Sequence, residues 1–185
     1  MSPEDGVKKL RKCLRTEPDE SAQAAVAILI RENRDDLEFF LVKRAEVPGD
    51  PWSGDIAFPG GKKTREDKGL LYTAIREVHE ETNIHLENLP VLGYMNPVDS
   101  AVRRDIHVQP IVYLLDETPK VHLNFELTKY MWIPMKELRN SQNNAIVKGF
   151  DSPIYRAGGE VVWGLTYRML EKLFSLIEDE SKECS

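Results

Sequence analysis

Cysteine is nearly missing from this chain. It occurs twice in 185 residues, as Cys13 and Cys184, and two residues near opposite ends have no metal-motif spacing. A metal centre built on thiolates is therefore excluded. The pair reads as free thiols in a reducing, cytoplasmic setting, with a terminal disulfide as the other reading. No apolar run is long enough to cross a bilayer, and none suits a secretory signal. An excess of positive charge is lacking too. The formal net charge is −6, which speaks against broad attraction to nucleic acid or to an anionic membrane. Internal repeats, linkers and low-complexity tracts are absent as well. With 41% hydrophobic and 30% charged residues, the composition is that of a globular chain long enough for one domain with a substantial core.

Against that background one stretch stands out. Phe58-Pro59-Gly60-Gly61 precedes Arg76-Glu77-Val78-His79-Glu80-Glu81. On an α-helix Glu77, Glu80 and Glu81 stand at i, i+3 and i+4 and share one face. Leu71, Ile75 and Val78 fall on an arc centred roughly 130° away, suited to packing. Clustered carboxylates repel one another unless a cation or an arginine sits among them. Mg²⁺ prefers carboxylate oxygens and shares its coordination sphere with substrate phosphates. The plainer reading of Arg-Glu-x-x-Glu-Glu is a solvated helix face laced by i,i+4 pairs. The glycine turn ahead of the helix favours a metal-phosphate site instead, because glycines let backbone approach closely. Asn83 follows the helix and is suited to a left-handed C-cap.

The rest of the chain alternates strands with a few helices. Within residues 1–18 a short N-terminal helix is expected, with Ser2 as N-cap, Pro3 at N1 and a docking stripe of Val7, Leu10 and Leu14. Its lysines and arginines raise a transit peptide, but Glu4 and Asp5 argue against one. Residues 22–31 form a continuous apolar run suited to a buried strand, with 38–44 as its hairpin partner. Residues 48–54 read as a loop and 55–58 as a short strand. Further strands are expected at 89–96, 107–115, 130–133 and 160–163. A helical turn is expected at 134–138 and an amphipathic helix at 166–177. Mixed strands with a central and a terminal helix suit an α/β/α sandwich around a central mixed sheet, the whole of 1–185 forming one domain.

Residues 58–84 resemble the Nudix box of the Nudix hydrolases: Gly, five residues, Glu, seven residues, then Arg-Glu-U-x-Glu-Glu-x-Gly-U, with U a bulky aliphatic. Here Gly61 is followed by five residues and Asp67, then eight residues, then Arg76 to Ile84. The chain departs in Asp67, in the extra residue and in Asn83. The resemblance implies the same sandwich and a Mg²⁺- or Mn²⁺-dependent pyrophosphohydrolase acting through metal-activated water. It implies Glu77 and Glu81 as metal ligands, Glu80 as third ligand or base, a carbonyl of Gly61 completing the sphere, and Arg76 holding the carboxylates, with Asp67 its partner. A further carboxylate beyond the helix is expected, with Glu126 first and Asp116 and Glu117 behind it.

Leu41-Val42-Lys43-Arg44-Ala45 with Gly54-x-x-x-Phe58-Pro59-Gly60-Gly61, Val108-Gln109-Pro110 and Trp163-Gly164-Leu165-Thr166 resemble the coenzyme A pyrophosphatase branch. A second Arg of that branch is missing, with Gly49 near its place. The implied substrate is coenzyme A or a thioester, giving 3′,5′-ADP and a phosphopantetheine. The alternatives are an ADP-ribose, dinucleotide or nucleoside triphosphate pyrophosphatase, and a non-catalytic Nudix-fold binding module. Arg44 and Lys43 are candidates for substrate phosphate, only one of which can face the cleft, and Gly60 for close approach to substrate. Arg103 and Arg104 form another basic pair. Trp52, Tyr94 and Tyr155 could stack on a base but equally fill a core. His79 reads as exposed, and His107 has no obvious partner. The family often dimerises, so a homodimer is among the expected partners.

Overall fold

The continuous apolar run becomes the centre of the molecule because it can be buried on both faces. In the computed structural model, which describes residues 2–100 and 105–178, this run is strand β1 (Ala24–Asn33). It turns at Arg34, which adopts the left-handed φ of 53°, into its antiparallel partner β2 (Asp36–Arg44). On its other edge β1 runs parallel to β7 (His107–Leu115), from Ala24 opposite Val108 to Arg31 opposite Leu115. Short strands β3 (Ile56–Ala57) and β4 (Gly60–Lys62) pair with β2 and β1. Strands β5 (Val91–Tyr94) and β6 (Val98–Asp99) pair with β7, and β8 (Leu127–Pro134) with β2. Together they form an eight-stranded mixed sheet.

Side chains alternate across this sheet with period two. From β1, Ile28 and Ile30 point into one core with Phe39 and Leu41 of β2. Ala27 and Leu29 point into the other with Phe40 and Val42. Helices α1 (Pro3–Cys13) and α4 (Gly164–Glu178) cover the first face through Val7, Leu10, Leu170, Leu173 and Phe174. Helix α2 (Leu70–Thr82) covers the second through Leu70, Ala74 and Val78. The expected sandwich with a central mixed sheet is therefore the observed one.

Local detail agrees in places and departs in others. Ser2 caps α1, accepting a bond from the Asp5 amide at 3.2 Å, and Pro3 is its first residue. The helix stops at Cys13, because Arg15 instead forms an antiparallel bridge with Tyr94. Cys13 is not a free thiol but disulfide-bonded, so the free-thiol reading fails for it; Cys184 lies outside the described residues. A second, three-stranded sheet was not expected. It joins β9 (Asn143–Val147), β10 (Phe150–Ala157) and β11 (Glu160–Val162), and only β11 has the apolar run that signals a strand. Polar Asn143 and Asn144, and Pro153, hide the other two. The small helix α3 (Met135–Asn140) follows β8, two residues beyond the end expected for it. No described helix is long and apolar enough to cross a membrane.

Candidate active site

The packed stripe of α2 runs Leu70, Ala74, Val78, each one helical turn on from the last, and its next member is a carboxylate. Glu81 is only 3% exposed, so the expectation of a packed arc well apart from the acidic face is corrected. Leu71 and Ile75 flank the stripe, half-buried. The acidic cluster begins inside the protein and runs outward through Glu77, whose side chain is 18% exposed, to Glu80 at 54%. Burial pushes the Glu81 carboxyl up to about 8; the Gly60 N–H opposes that shift, and the charge of Glu77 adds to it. Burial raises Glu77 as well, against the pull of Arg76. Both shifts mark carboxylates placed where a positive charge would stabilise them.

The glycines make this arrangement sterically feasible. Gly60 has φ 151°, and a Cβ there would meet the Ala25 carbonyl oxygen at 2.3 Å. Its amide donates to Glu81 Oε2 at 2.9 Å. A Cβ on Gly61 would lie 2.5 Å from the Glu77 carboxylate. The missing side chain of Gly60 thus lets β4 lie close on β1, and that of Gly61 lets it approach the Glu77 carboxylate of α2.

Arg76 organises the remaining charge. Its guanidinium donates to both Asp67 oxygens at 3.0 Å, to Glu77 Oε1 at 2.8 Å, to Glu80 Oε2 at 3.3 Å and to the Lys62 carbonyl at 3.3 Å. Asp67 also accepts from the Thr64 amide and the Thr73 hydroxyl, and Arg76 holds its carboxyl well below the usual range. The helix ends at Asn83 in the left-handed conformation, φ 58°, its amide bonded to the His79 carbonyl. At the other end Gly69 offers no side-chain cap. The Leu70 amide is capped by Glu20, at 3.1 Å, from the segment before β1.

A cavity of about 450 Å³ opens beside the helix. Glu77, Glu81, Gly60 and Gly61 line it, and so do Glu126 and Arg44. The charge of Glu126 raises the carboxyls of Glu77 and Glu81. Arg44 donates to Asp50 at 3.1 Å, while its buried Nε has no partner. Lys43 and Arg44 are neighbours on β2, so their side chains point to opposite faces of the sheet; the register irregularity there puts the extra residue, Thr128, on β8. Lys43 pairs with Glu160 at 2.9 Å and is not part of the lining, so Arg44 is the one that faces the cleft. Glu80 also lies off the lining.

Trp52 contributes to the wall, whereas Tyr94 is buried in the core on the α2 face and Tyr155 packs on Tyr167 and Phe174. His79 is exposed, its ring 4.5 Å from that of His85. His107, expected to lack a partner, meets Asp99 Oδ1 at 2.6 Å. Arg103 and Arg104 lie outside the described residues.

Sequence reasoning missed Asp50, Asp55 and Trp163 as lining or anchoring residues. Asp50 had a legible signal: Asp two residues before Trp52 is an Asx-turn spacing, and the Trp52 amide does bond to Asp50 Oδ1 at 3.0 Å.

Among the described residues no three His, Cys, Asp or Glu side chains stand together as a ready cation cage. Glu77 and Glu80 are both drawn to Arg76. The donors that share the cavity are nonetheless all oxygen, with two half-desolvated or buried carboxylates at its floor, and that chemistry fits Mg²⁺ or Mn²⁺.

The chain matches the NUDIX domain over residues 21–156. It belongs to the Nudix hydrolase family. It is 31% identical over 142 residues to an uncharacterized Nudix hydrolase, NudL, of Pectobacterium atrosepticum, covering 69% of each chain. Among solved structures it is similar to the MutT protein from Methanosarcina mazei Go1. That likeness has a TM-score of 0.57 and 19% identity, over 86% of this chain and 94% of the other. It is also similar to a MutT/nudix family protein from Enterococcus faecalis, with a TM-score of 0.56 and 17% identity over 99% of this chain and 72% of that one. These structural likenesses bear on the fold, and the Nudix fold accounts for α2 lying across β1 and β4.

Proposed function

We propose that this Nudix hydrolase is a divalent-cation-dependent pyrophosphohydrolase of nucleoside diphosphate derivatives, with coenzyme A or its thioesters as substrate. One observation carries the reading: Glu77, Glu81 and Glu126 meet Arg44 at a single cavity whose other walls are mostly apolar. Such a cavity suits a diphosphate at its charged end and a larger organic group along its walls.

Glu77 and Glu81 would hold the cation, with the Gly61 carbonyl completing its surroundings; Glu80, turned to Arg76 outside the cavity, would act as third ligand only by leaving that pair. A bound cation supplies charge neutralisation of the diphosphate and a more acidic water. Arg44 would grip a phosphate oxygen with its free Nε–H. Arg76 positions Glu77 and stays clear of the reacting atoms. Water attacks one phosphorus, the bridging P–O bond breaks, and the electron pair leaves with the second phosphate. Glu126 takes the water's proton, because it lines the cavity while Glu80 is tied to Arg76 at the surface.

The test is product analysis with Mg²⁺ and with Mn²⁺, giving coenzyme A, ADP-ribose, NADH and dGTP in parallel. Release of 3′,5′-ADP from coenzyme A is the expected outcome. A second reading is favoured by one feature: the second Arg of the coenzyme A branch is missing, with Gly49 near its place, and Asp50 occupies Arg44. Preference for ADP-ribose, a dinucleotide or a triphosphate would establish that reading. If every substrate survived, a non-catalytic binding module would replace both.

A further inference from the structure

The cavity wall is pinned from outside by a residue that belongs to no part of the Nudix box. Strands β9 and β10 form a hairpin whose turn is Lys148-Gly149, with φ of 49° and 85°. The base of the hairpin is buried through Ile154, Tyr155 and Ala157 of β10, whereas its outer end exposes Ile146 at 71% and Phe150 at 68%. The tip nonetheless makes one set of contacts. Lys148 Nζ donates to the carbonyls of Pro51 and Ser53, each at 3.0 Å, and pairs with Asp55 Oδ1 at 2.8 Å. An ammonium has three protons to donate, and here each has an acceptor on one short loop.

Asp55 ties that loop to the cavity. The same Oδ1 accepts the indole N–H of Trp163 at 3.0 Å. The Asp55 amide donates to the Trp52 carbonyl at 3.1 Å, and its carbonyl accepts from the Arg44 amide at 3.0 Å. Lys148 also lies 5.6 Å from the centre of the Trp163 ring, within cation–π range. Trp52, Asp55, Trp163 and Arg44 all line the cavity. A long cationic arm at a hairpin tip, spent wholly on one loop, is therefore placed to hold the wall and not to build the core. The loop's other anchors are the packing of Trp52 on the core, the Arg44–Asp50 pair at 3.1 Å, Val47 N to Ser53 Oγ at 2.7 Å, the Asp50 turn and the Gly54 amide to the Ala45 carbonyl at 3.4 Å.

We propose that Lys148 is a positioning residue that latches the Pro51–Asp55 loop, and through Asp55 the Trp163 ring, so that the two tryptophans present a fixed wall to the organic part of the substrate. The role in substrate binding rests on the pyrophosphohydrolase reading; the latch itself does not. Without the ammonium the loop and the hairpin tip part, the wall loosens, and the weaker fit is felt in binding more than in the chemistry at the carboxylates.

The experiment compares the full-length protein with Lys148→Met and Lys148→Arg by acrylamide quenching of tryptophan fluorescence. It also measures kcat and KM for whichever substrate the panel identifies. Trp132 is the remaining tryptophan; it stacks under Arg31, away from the loop, and serves as a constant background. Lys148→Met is expected to raise quenching and to raise KM about tenfold while kcat stays within about twofold. Lys148→Arg restores both in large part. Quenching unchanged in Lys148→Met would overturn the latch, whatever the kinetics. Raised quenching with KM unchanged would overturn its role in substrate binding. If the wild type hydrolysed nothing, the quenching comparison would still decide the latch, while the pyrophosphohydrolase reading would fail separately.

Discussion

Helices α2 and α4 lie on opposite faces of one sheet and are similar in length, 13 and 15 residues, yet they are held by different physics. Helix α4 is fastened by area. Met169, Leu170, Leu173, Phe174 and Ile177 are all buried, with Phe174 edge-on to Phe39 at 5.4 Å. Helix α2 buries a shorter apolar stripe and then a carboxylate. Its first turn borrows a cap from Glu20, and its acidic face is kept together by Arg76 and Asp67. Apolar packing stabilises α4 without leaving anything reactive behind. Helix α2 accepts the cost of desolvating Glu81, offset by polar contacts from distant segments, and so places a carboxyl on the cavity wall.

Four substitutions would break or sharpen this contrast. Glu81→Gln should lower turnover by roughly three orders of magnitude. The thermal midpoint at neutral pH should not fall, because the neutral amide has no charge to desolvate. Near-normal turnover would place the cation elsewhere. Phe174→Ala should have the opposite signature, a loss of about 3–5 kcal/mol in urea unfolding with normal turnover per folded molecule. An activity loss like that of Glu81→Gln would dissolve the distinction between the two faces.

Asp67→Asn tests the polar side by pH. Arg76 lowers the folded-state carboxyl of Asp67 below its unfolded value. Its contribution to stability is thus present above the unfolded pKa and lost as pH falls. The difference in urea midpoint between wild type and Asp67→Asn should be largest near neutrality and narrow progressively below about pH 4. A constant gap down to about pH 2.5 would mean the ion pair contributes little. The smallest effect is expected from Glu20→Ala, about 1 kcal/mol for a lost helix cap with kcat unaltered. A stability loss no greater than that of Lys8→Ala, an exposed pair on α1, would show that α2 needs no borrowed cap.

Much of this was readable in the chain. The Gly-Gly turn, the spacing of Glu77, Glu80 and Glu81 and the Asn83 cap follow from local rules, because each involves a helix period or a turn chemistry, while the Arg76–Asp67 pairing was implied by the Nudix-box resemblance. The main strands were legible for the same reason, since β1, β2 and β7 are long and apolar. What stayed hidden had no local signature. Glu20 capping α2 and Lys148 reaching Asp55 each join segments far apart in sequence, and the β9–β10 hairpin, though local, begins in polar residues that look like any exposed surface. The choice between Lys43 and Arg44 turned on which face of β2 meets the cavity, and strand alternation alone does not say which.

The sequence by itself determined the sandwich and the shared face of Glu77, Glu80 and Glu81, since periodicity and glycine chemistry act over a few residues, and its resemblance to the Nudix box pointed to the family. Only the tertiary structure decided that Glu81 is buried while Glu80 is not, that Arg44 and Glu126 face the same cavity, and which distant lysine closes its wall. Burial and electrostatic neighbourhood are properties of packed surfaces, and they come into being only when separate segments meet.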